Sequence, residues 1–192
     1  MNEFTQDWFS HNITNFEVVT KLLPKCNSIL EIGCFEGRAT CWMLENMLPL
    51  DGRIVCVDTF KGSEEHANLD LSGLFDRWKK NIEWVRKDGQ TCSGFMGKSY
   101  DVLAQLITDR EEFDFIYIDG SHTAYDVMTD ACMAWGMLKP GGIMLFDDYL
   151  WVDVPGLLHR PKIGVDYFAT LFSEQAQLCL LGYQYGLRKL PI

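Results

Sequence analysis

Short apolar runs alternate with amphipathic stretches along most of the chain. Four of the runs are brief, rich in branched side chains, and end in or precede a glycine or an aspartate, which is typical of buried strands: 28–32, 54–58, 113–119 and 142–146. Apolar residues at helical spacing predict helices before and between them, over 12–23, 38–47, 74–84, 99–107 and 123–137. Strands that alternate with helices predict a doubly wound α/β fold, in which helices cover both faces of a parallel sheet.

The two ends of the chain depart from this alternation. Segments 177–181 and 183–190 are both strand-like and are separated by Gly182, so we expect an antiparallel hairpin at the edge of the sheet. The amphipathic stretch that Pro24 ends is predicted to form a helical N-terminal cap (1–24) in front of the core (25–192). We therefore expect a single domain over 1–192, with the polar stretch 61–71 as a loop over the ligand.

Composition and charge exclude several classes of protein. The 192 residues are 47% hydrophobic, which is enough for one full core. Asp and Glu outnumber Lys and Arg by 27 to 17, and a net charge of -10 opposes binding to nucleic acid or to an anionic membrane surface. The seven cysteines form no C-x-x-C pair and lie mostly in apolar runs, as expected of free thiols in a reducing compartment. With no signal-peptide pattern, these features predict a cytoplasmic protein.

The segment after the first strand has the features of a ligand-binding loop. In an open parallel sheet, ligands bind beyond the carboxyl ends of the strands, and here Gly33 and Gly37 bracket a tight turn into a helix. The dinucleotide fingerprint G-x-G-x-x-G is absent, and Glu31 and Glu36 would repel a pyrophosphate. A ligand with an ammonium group and ribose hydroxyls suits these carboxylates, and Asp58 at the end of the second strand can accept from the ribose.

Carboxylates also follow two later strands. Asp119 ends one strand, and Asp147 and Asp148 follow another, so neighbouring parallel strands would bring the three together. A divalent cation would relieve their repulsion, and oxygen ligands favour Mg²⁺. His122 can act as a general base towards an alcohol activated by that ion. Asp130, two helical turns further along, is interpreted as structural.

These motifs resemble a known family. Glu31-x-Gly33-x-x-x-Gly37 and Asp58 look like motifs I and II of class I S-adenosylmethionine-dependent methyltransferases. The resemblance implies a Rossmann-like sheet of seven strands. It also implies that the turn from Gly33 to Gly37 wraps the methionine part of the cofactor, that Asp58 holds its ribose, and that Ser99 lies near its adenine.

The acidic edge resembles one branch of that family, the macrocin-type, cephalosporin-tailoring and catechol-type O-methyltransferases. Asp119 and His122 match the D-x-x-H motif of the macrocin-type enzymes, in which the histidine is the base. The interval from Asp119 to Asp147 is similar to that between metal-binding carboxylates in Mg²⁺-dependent members, which commonly carry Asp-Asn or Glu-Asp where this chain has Asp147-Asp148.

The resemblance and the residues together define a set of candidate sites. Asp119 and His122 are the catalytic candidates, and Asp119, Asp147 and Asp148 are the metal candidates. The candidates for binding S-adenosylmethionine are Glu31, Gly33, Phe35, Gly37, Asp58, Thr59, Ser99 and Asp119.

The expected activity is Mg²⁺-dependent O-methylation of a hydroxyl on a small molecule of the sugar, phenolic or natural-product type. Two alternatives remain at this point: a NAD-dependent oxidoreductase on a similar fold, and a methyltransferase-like binding module without turnover. An O-methyltransferase that needs no metal is a variant of the expected activity. A homodimer is a further expectation, based on the aromatic N-terminal segment.

Overall fold

The computed structural model describes residues 3–23, 25–63 and 66–191. Its seven strands are β1 (Ser28–Ile32), β2 (Arg53–Asp58), β3 (Thr91–Met96), β4 (Phe113–Ile118), β5 (Leu138–Phe146), β6 (Ala176–Leu181) and β7 (Tyr185–Lys189). Its α-helices are α1 (Ile13–Leu22), α2 (Arg38–Asn46), α3 (Leu74–Val85), α4 (Ser99–Thr108), α5 (Ala124–Trp135) and α6 (Pro161–Leu171). Short 3-10 turns cover Ser10–Asn12 and Leu157–His159.

All seven strands form one mixed sheet in the order β3-β2-β1-β4-β5-β7-β6. The first five strands are parallel, whereas β7 runs antiparallel to both β5 and β6. The predicted fold class is therefore confirmed, including the antiparallel hairpin at one edge. The turn of that hairpin covers 182–184, so Tyr183 and Gln184 lie in the turn and not in the second strand.

The central strands are buried on both faces because helices pack on each side. Successive side chains of a strand point to opposite faces, and in β1 Ile29 joins one apolar cluster while Leu30 joins the other. The first cluster includes Phe16 of α1 and Trp78 of α3, and the second includes Phe168 of α6. This arrangement leaves the carboxyl ends of the strands as the accessible edge of the sheet.

Three elements differ from the sequence prediction. Strand β3, Thr-Cys-Ser-Gly-Phe-Met, lies at the sheet edge with most of its side chains exposed or half-buried, so it has no run of branched apolar residues to reveal it. Helix α6 was also not predicted. Strand β5 begins at Leu138 and not at Gly142, because an irregular register opposite Phe113–Phe115 accommodates the expected turn within the strand.

The N-terminal helix ends at Leu22, close to the predicted end. Pro24, which was predicted to end it, lies outside the described residues. Across the three described ranges, none of the helices has the length and apolar character needed to cross a bilayer.

Candidate active site

The carboxyl ends of the parallel strands open into a cavity of about 810 Å³. Nearly all of the predicted site residues line it: Glu31, Gly33, Phe35, Asp58, Thr59, Ser99, Asp119, His122, Asp147 and Asp148. Gly37 is the exception, because it precedes α2 and packs against Trp78. The loop predicted over 61–71 contributes Gly62, Ser63 and His66 to the wall. These residues therefore share one cavity, and their roles stay predictions.

The turn after β1 requires glycine at its first position. Gly33 has a φ of +84°, and a Cβ atom there would lie 1.9 Å from the carbonyl oxygen of Asp119. Its N–H donates to the carbonyl oxygen of Val57 at 2.8 Å. Gly37 also has a positive φ, of +80°, and a Cβ atom there would lie 2.9 Å from the ring of Trp78. Both glycines are thus fixed by backbone conformation and by close packing.

Asp58 organises the same turn. One carboxylate oxygen accepts hydrogen bonds from the backbone N–H groups of Cys34 and Phe35, both at 2.8 Å, and the other accepts from the N–H of Phe60 at 2.7 Å. These contacts join the end of β2 to the ligand loop. A ribose at this position would share a carboxylate that already holds the loop in place.

Glu31 is fully buried beneath the turn. Its Oε2 accepts a hydrogen bond of 2.5 Å from the hydroxyl of Thr40, and the Cys56 thiol lies 3.3 Å away, whereas Oε1 has no hydrogen-bond partner. Burial raises the pKa of Glu31 to about 8. This side chain therefore presents an unused acceptor at the cavity wall.

Sequence reasoning missed the contacts that close the cavity from the N-terminal side. Glu36, buried in the turn, accepts from the N–H and hydroxyl of Thr5 at 2.6 and 2.8 Å and forms an ion pair with Arg77 at 2.9 Å. Trp8 stacks on His66 with ring centroids 5.1 Å apart. The partners of Glu36 are 31 and 41 residues distant in sequence. No local pattern could have revealed them.

His122 and Asp148 form a contact at the other end of the cavity. The Nε2 atom of His122 lies 2.8 Å from Oδ2 of Asp148, and the hydroxyl of Tyr183 donates to Oδ1 of Asp148 at 2.9 Å. The ring of Trp151 packs beside the imidazole, with centroids 4.5 Å apart. A histidine held in this way by a carboxylate has a fixed ring orientation, as a general base requires.

Asp147 is more deeply buried than its neighbour and is held by other protein groups. The side-chain amide of Asn12 donates to it at 2.8 Å, the hydroxyl of Tyr117 also donates, and the N–H of Asp148 donates at 2.8 Å. Burial and the charge of Asp148 raise the pKa of Asp147 to about 6. Burial and the charges of Asp147 and Asp148 likewise hold the pKa of Asp119 well above its usual range.

The three carboxylates thus share one cavity, as the sheet geometry predicted. Within residues 3–23, 25–63 and 66–191, however, no group of three or more His, Cys, Asp or Glu side chains is arranged to hold a metal ion. The oxygen atoms of Asp147 and Asp148 accept hydrogen bonds from protein groups instead. The metal assignment therefore stays a prediction.

Residues 30–149 match a family model described as a methyltransferase domain, and this match covers more than half of the chain. The chain belongs to the methyltransferase domain family. The resemblance predicted from the glycine turn and the acidic edge is thereby confirmed.

Individual relatives agree with this assignment. A protein of Arabidopsis thaliana classed by name with the caffeoyl-CoA O-methyltransferases is 27% identical over 170 residues, which is 85% of this chain and 64% of the relative. This methyltransferase-family chain thus spans just under two thirds of the length of the curated relatives it matches.

Solved structures share the fold. An O-methyltransferase from Bacillus cereus in complex with S-adenosylhomocysteine superposes with a TM-score of 0.64 at 20% identity, covering 98% of this chain and 84% of that one. The MycE methyltransferase of the mycinamycin biosynthetic pathway, in complex with Mg and S-adenosylhomocysteine, gives a TM-score of 0.62 at 15% identity, covering 98% of this chain and 51% of that one. The fold of this family member is therefore that of known methyltransferases.

The packing of Gly33 generates a prediction about stability. Gly33→Ala would place a methyl group against the backbone of Asp119 at a positive φ, so it should destabilise the protein by at least about 2 kcal/mol in chemical denaturation. Gly136→Ala is the matched control, because φ is -62° there and no atom lies within 4 Å of the added Cβ. The control should change stability by less than about 0.5 kcal/mol. Equal effects of the two variants would contradict the close approach of β1 and β4.

The buried carboxyl of Glu31 generates a prediction about pH dependence. Since its pKa rises from 4.5 to about 8 on folding, its ionisation destabilises the folded state, and stability is lost as pH rises across that window. Glu31→Gln should remove this loss, so the variant should gain up to about 5 kcal/mol relative to the wild type between pH 5 and 8.5. Denaturant unfolding at several pH values measures the difference. The exposed Glu45→Gln on α2 is the control and should follow the wild type; a Glu31 variant that also does so would refute the burial penalty.

Proposed function

We propose that this chain transfers a methyl group from S-adenosylmethionine to a hydroxyl oxygen of a small molecule. The observation that carries the proposal is the 2.8 Å contact between His122 and Asp148 in the same cavity as the Gly33 turn. A base held at one end of a cofactor-sized cavity suits proton removal from an acceptor hydroxyl. The membership of the family and the fold shared with O-methyltransferases support the same reaction.

The donor half of the cavity fits S-adenosylmethionine, which supplies an electrophilic methyl group when bound. The buried Oε1 of Glu31 has no partner and lines the cavity, so it suits the ammonium group of the amino-acid part. Asp58 suits the ribose hydroxyls, and the Gly33 turn allows close approach to the backbone. Phe35, Thr59, Ser99 and Asp119 complete the proposed binding wall.

His122 is the proposed general base. Asp148, whose Oδ2 lies 2.8 Å from Nε2, would orient the neutral imidazole as it accepts the proton of the acceptor hydroxyl. The imidazolium that forms would be stabilised by the Asp148 carboxylate. Tyr183 keeps this carboxylate oriented by donating to its other oxygen. The oxygen that loses its proton would then attack the methyl carbon, and the sulfonium of the donor would leave as a neutral thioether.

The proposal includes Mg²⁺ at the acidic edge, where Asp119, Asp147 and Asp148 would hold it. Carboxylate oxygens are the ligands that this ion prefers, and burial together with their close approach raises the pKa of Asp119 and Asp147. Bound there, Mg²⁺ would lower the pKa of the acceptor hydroxyl. Ion binding would require Asp147 and Asp148 to exchange some of their present hydrogen bonds.

The proposal also covers the acceptor, other binding partners and the location of the protein. The acceptor is proposed to be a small hydroxylated molecule, since the aromatic rings of Trp8 and Trp151 line the cavity, Trp151 beside His122, and suit a sugar or phenolic ring. A net charge of -10 supports a protein that binds neither nucleic acid nor membranes. A cytoplasmic location and a homodimer complete the proposal.

Calorimetric titration with S-adenosylhomocysteine, with and without Mg²⁺ and with NAD in parallel, tests the donor site. We expect micromolar binding of S-adenosylhomocysteine and none of NAD. Binding of NAD alone would return the chain to the oxidoreductase alternative.

Methyl transfer that resists a chelator, measured with a panel of hydroxylated acceptors, would select the metal-independent variant. Cofactor binding with no turnover on any acceptor would favour a binding module.

His122→Gln should lower the turnover number about 10²-fold at neutral pH, because the acceptor proton would lose its base. Affinity for S-adenosylhomocysteine should stay within about threefold, since His122 faces the acceptor end of the cavity. His159→Gln is the control, because this histidine lies outside the cavity wall. A loss of turnover below threefold in His122→Gln would remove His122 from the base role.

A further inference from the structure

Asp130 of α5 is a buried carboxyl that the mechanism does not use. Only 2% of the residue is exposed to solvent, yet it lines the cavity. Its position in the sequence, two helical turns after His122, predicts a structural role. A buried acceptor at the wall of a ligand cavity is also suited to recognise a donor on the ligand.

The neighbours of Asp130 locate its carboxylate. The side chain of Ser99, the first residue of α4, lies close enough to lower the pKa of Asp130 against the larger effect of burial. A Cβ atom placed on Gly120 would lie 3.8 Å from Oδ2 of Asp130 and 3.5 Å from a methyl group of Ile32. The carboxylate therefore lies beneath the turn that follows β4 and beside the start of α4.

The order of the other sites indicates which part of the cofactor reaches this corner. This step rests on the proposed function. Asp58 at the end of β2 would hold the ribose, and the methyl group must face His122 beyond β4. The adenine is attached on the opposite side of the ribose from the methyl group, so it would point away from His122. Ser99 and Asp130 are cavity-lining residues that such an adenine could meet.

We propose that Asp130 accepts a hydrogen bond from the 6-amino group of the cofactor's adenine and thereby selects adenine over a 6-oxo purine. The amino group would supply a second donor to a carboxylate that Ser99 already contacts on one side. A 6-oxo group would instead place its oxygen, an acceptor, against the acceptor oxygens of the buried Asp130 carboxylate. Neither group would have a hydrogen-bond donor there, which lowers affinity.

The ionisation state of Asp130 does not change its role as acceptor. Burial raises the pKa of Asp130 to about 7, and both an ionised carboxylate and the carbonyl oxygen of a neutral carboxyl accept hydrogen bonds. Only the neutral form can donate to a 6-oxo group. Discrimination between the two purines is therefore measured above that pKa, at pH 8.5, where the carboxylate is acceptor only.

Calorimetric titration of the full chain with S-adenosylhomocysteine and with S-inosylhomocysteine tests the proposal. The wild type should bind the adenine compound at least about 10-fold more tightly at pH 8.5. Asp130→Asn should bind the two within about threefold of each other, because an amide can present either a donor or an acceptor to position 6. Asp101→Asn in α4 is the matched control and should keep the wild-type preference, since this aspartate is exposed and lies outside the cavity wall.

Two results would overturn the proposal. A wild-type preference below threefold would do so without any variant, even if Asp130→Asn failed to fold. A full preference retained in folded Asp130→Asn would leave Asp130 with only the contact to Ser99. Failure of the wild type to bind either compound is a different outcome, because it would reject the donor site itself and the inference with it.

Discussion

The close approach of the Gly33 turn to the backbone of Asp119 is the constraint on which the site depends. The N–H of Asp119 donates to the carbonyl of Ile32, and the N–H of Gly33 donates to that of Val57, so the ends of β1, β2 and β4 are joined by backbone hydrogen bonds. Any side chain at Gly33 would force these ends apart. The contact that joins the strand ends therefore also brings Gly33 and Asp119 to the same cavity wall.

The carboxylates around that edge of the sheet have different hydrogen-bond partners. Asp58 holds backbone N–H groups of the ligand loop, Glu36 holds Thr5 and Arg77, and Asp147 holds Asn12 and Tyr117. Each of these carboxylates is stabilised by donors fixed in the protein, which offsets the cost of burial. Acidic residues that look alike in the sequence thus differ in how much of their hydrogen-bonding capacity is left for a ligand.

The sequence could predict the parts of the structure that rest on local pattern. The buried strands β1, β2 and β4 are brief apolar runs, and the glycine turn and the terminal aspartates stand directly after them. Strand β3 escaped prediction because an edge strand buries little, and α6 because it begins at Pro161 and contains Gly164, two residues of low helix propensity. The Glu36–Arg77 ion pair depends on α3 packing beside the turn, a tertiary contact that spacing cannot reveal.

The predicted metal site also depends on tertiary contacts that the sequence does not reveal. Residue type and spacing predicted that Asp119, Asp147 and Asp148 would meet, and all three do line the cavity. Spacing could not predict that Asn12 would reach Asp147 from the N-terminal segment. That segment contacts Glu36 through Thr5 at the donor end and Asp147 through Asn12 at the acidic edge. One short segment thus supplies donors to buried carboxylates on two sides of the cavity, which offsets part of the cost of burying both.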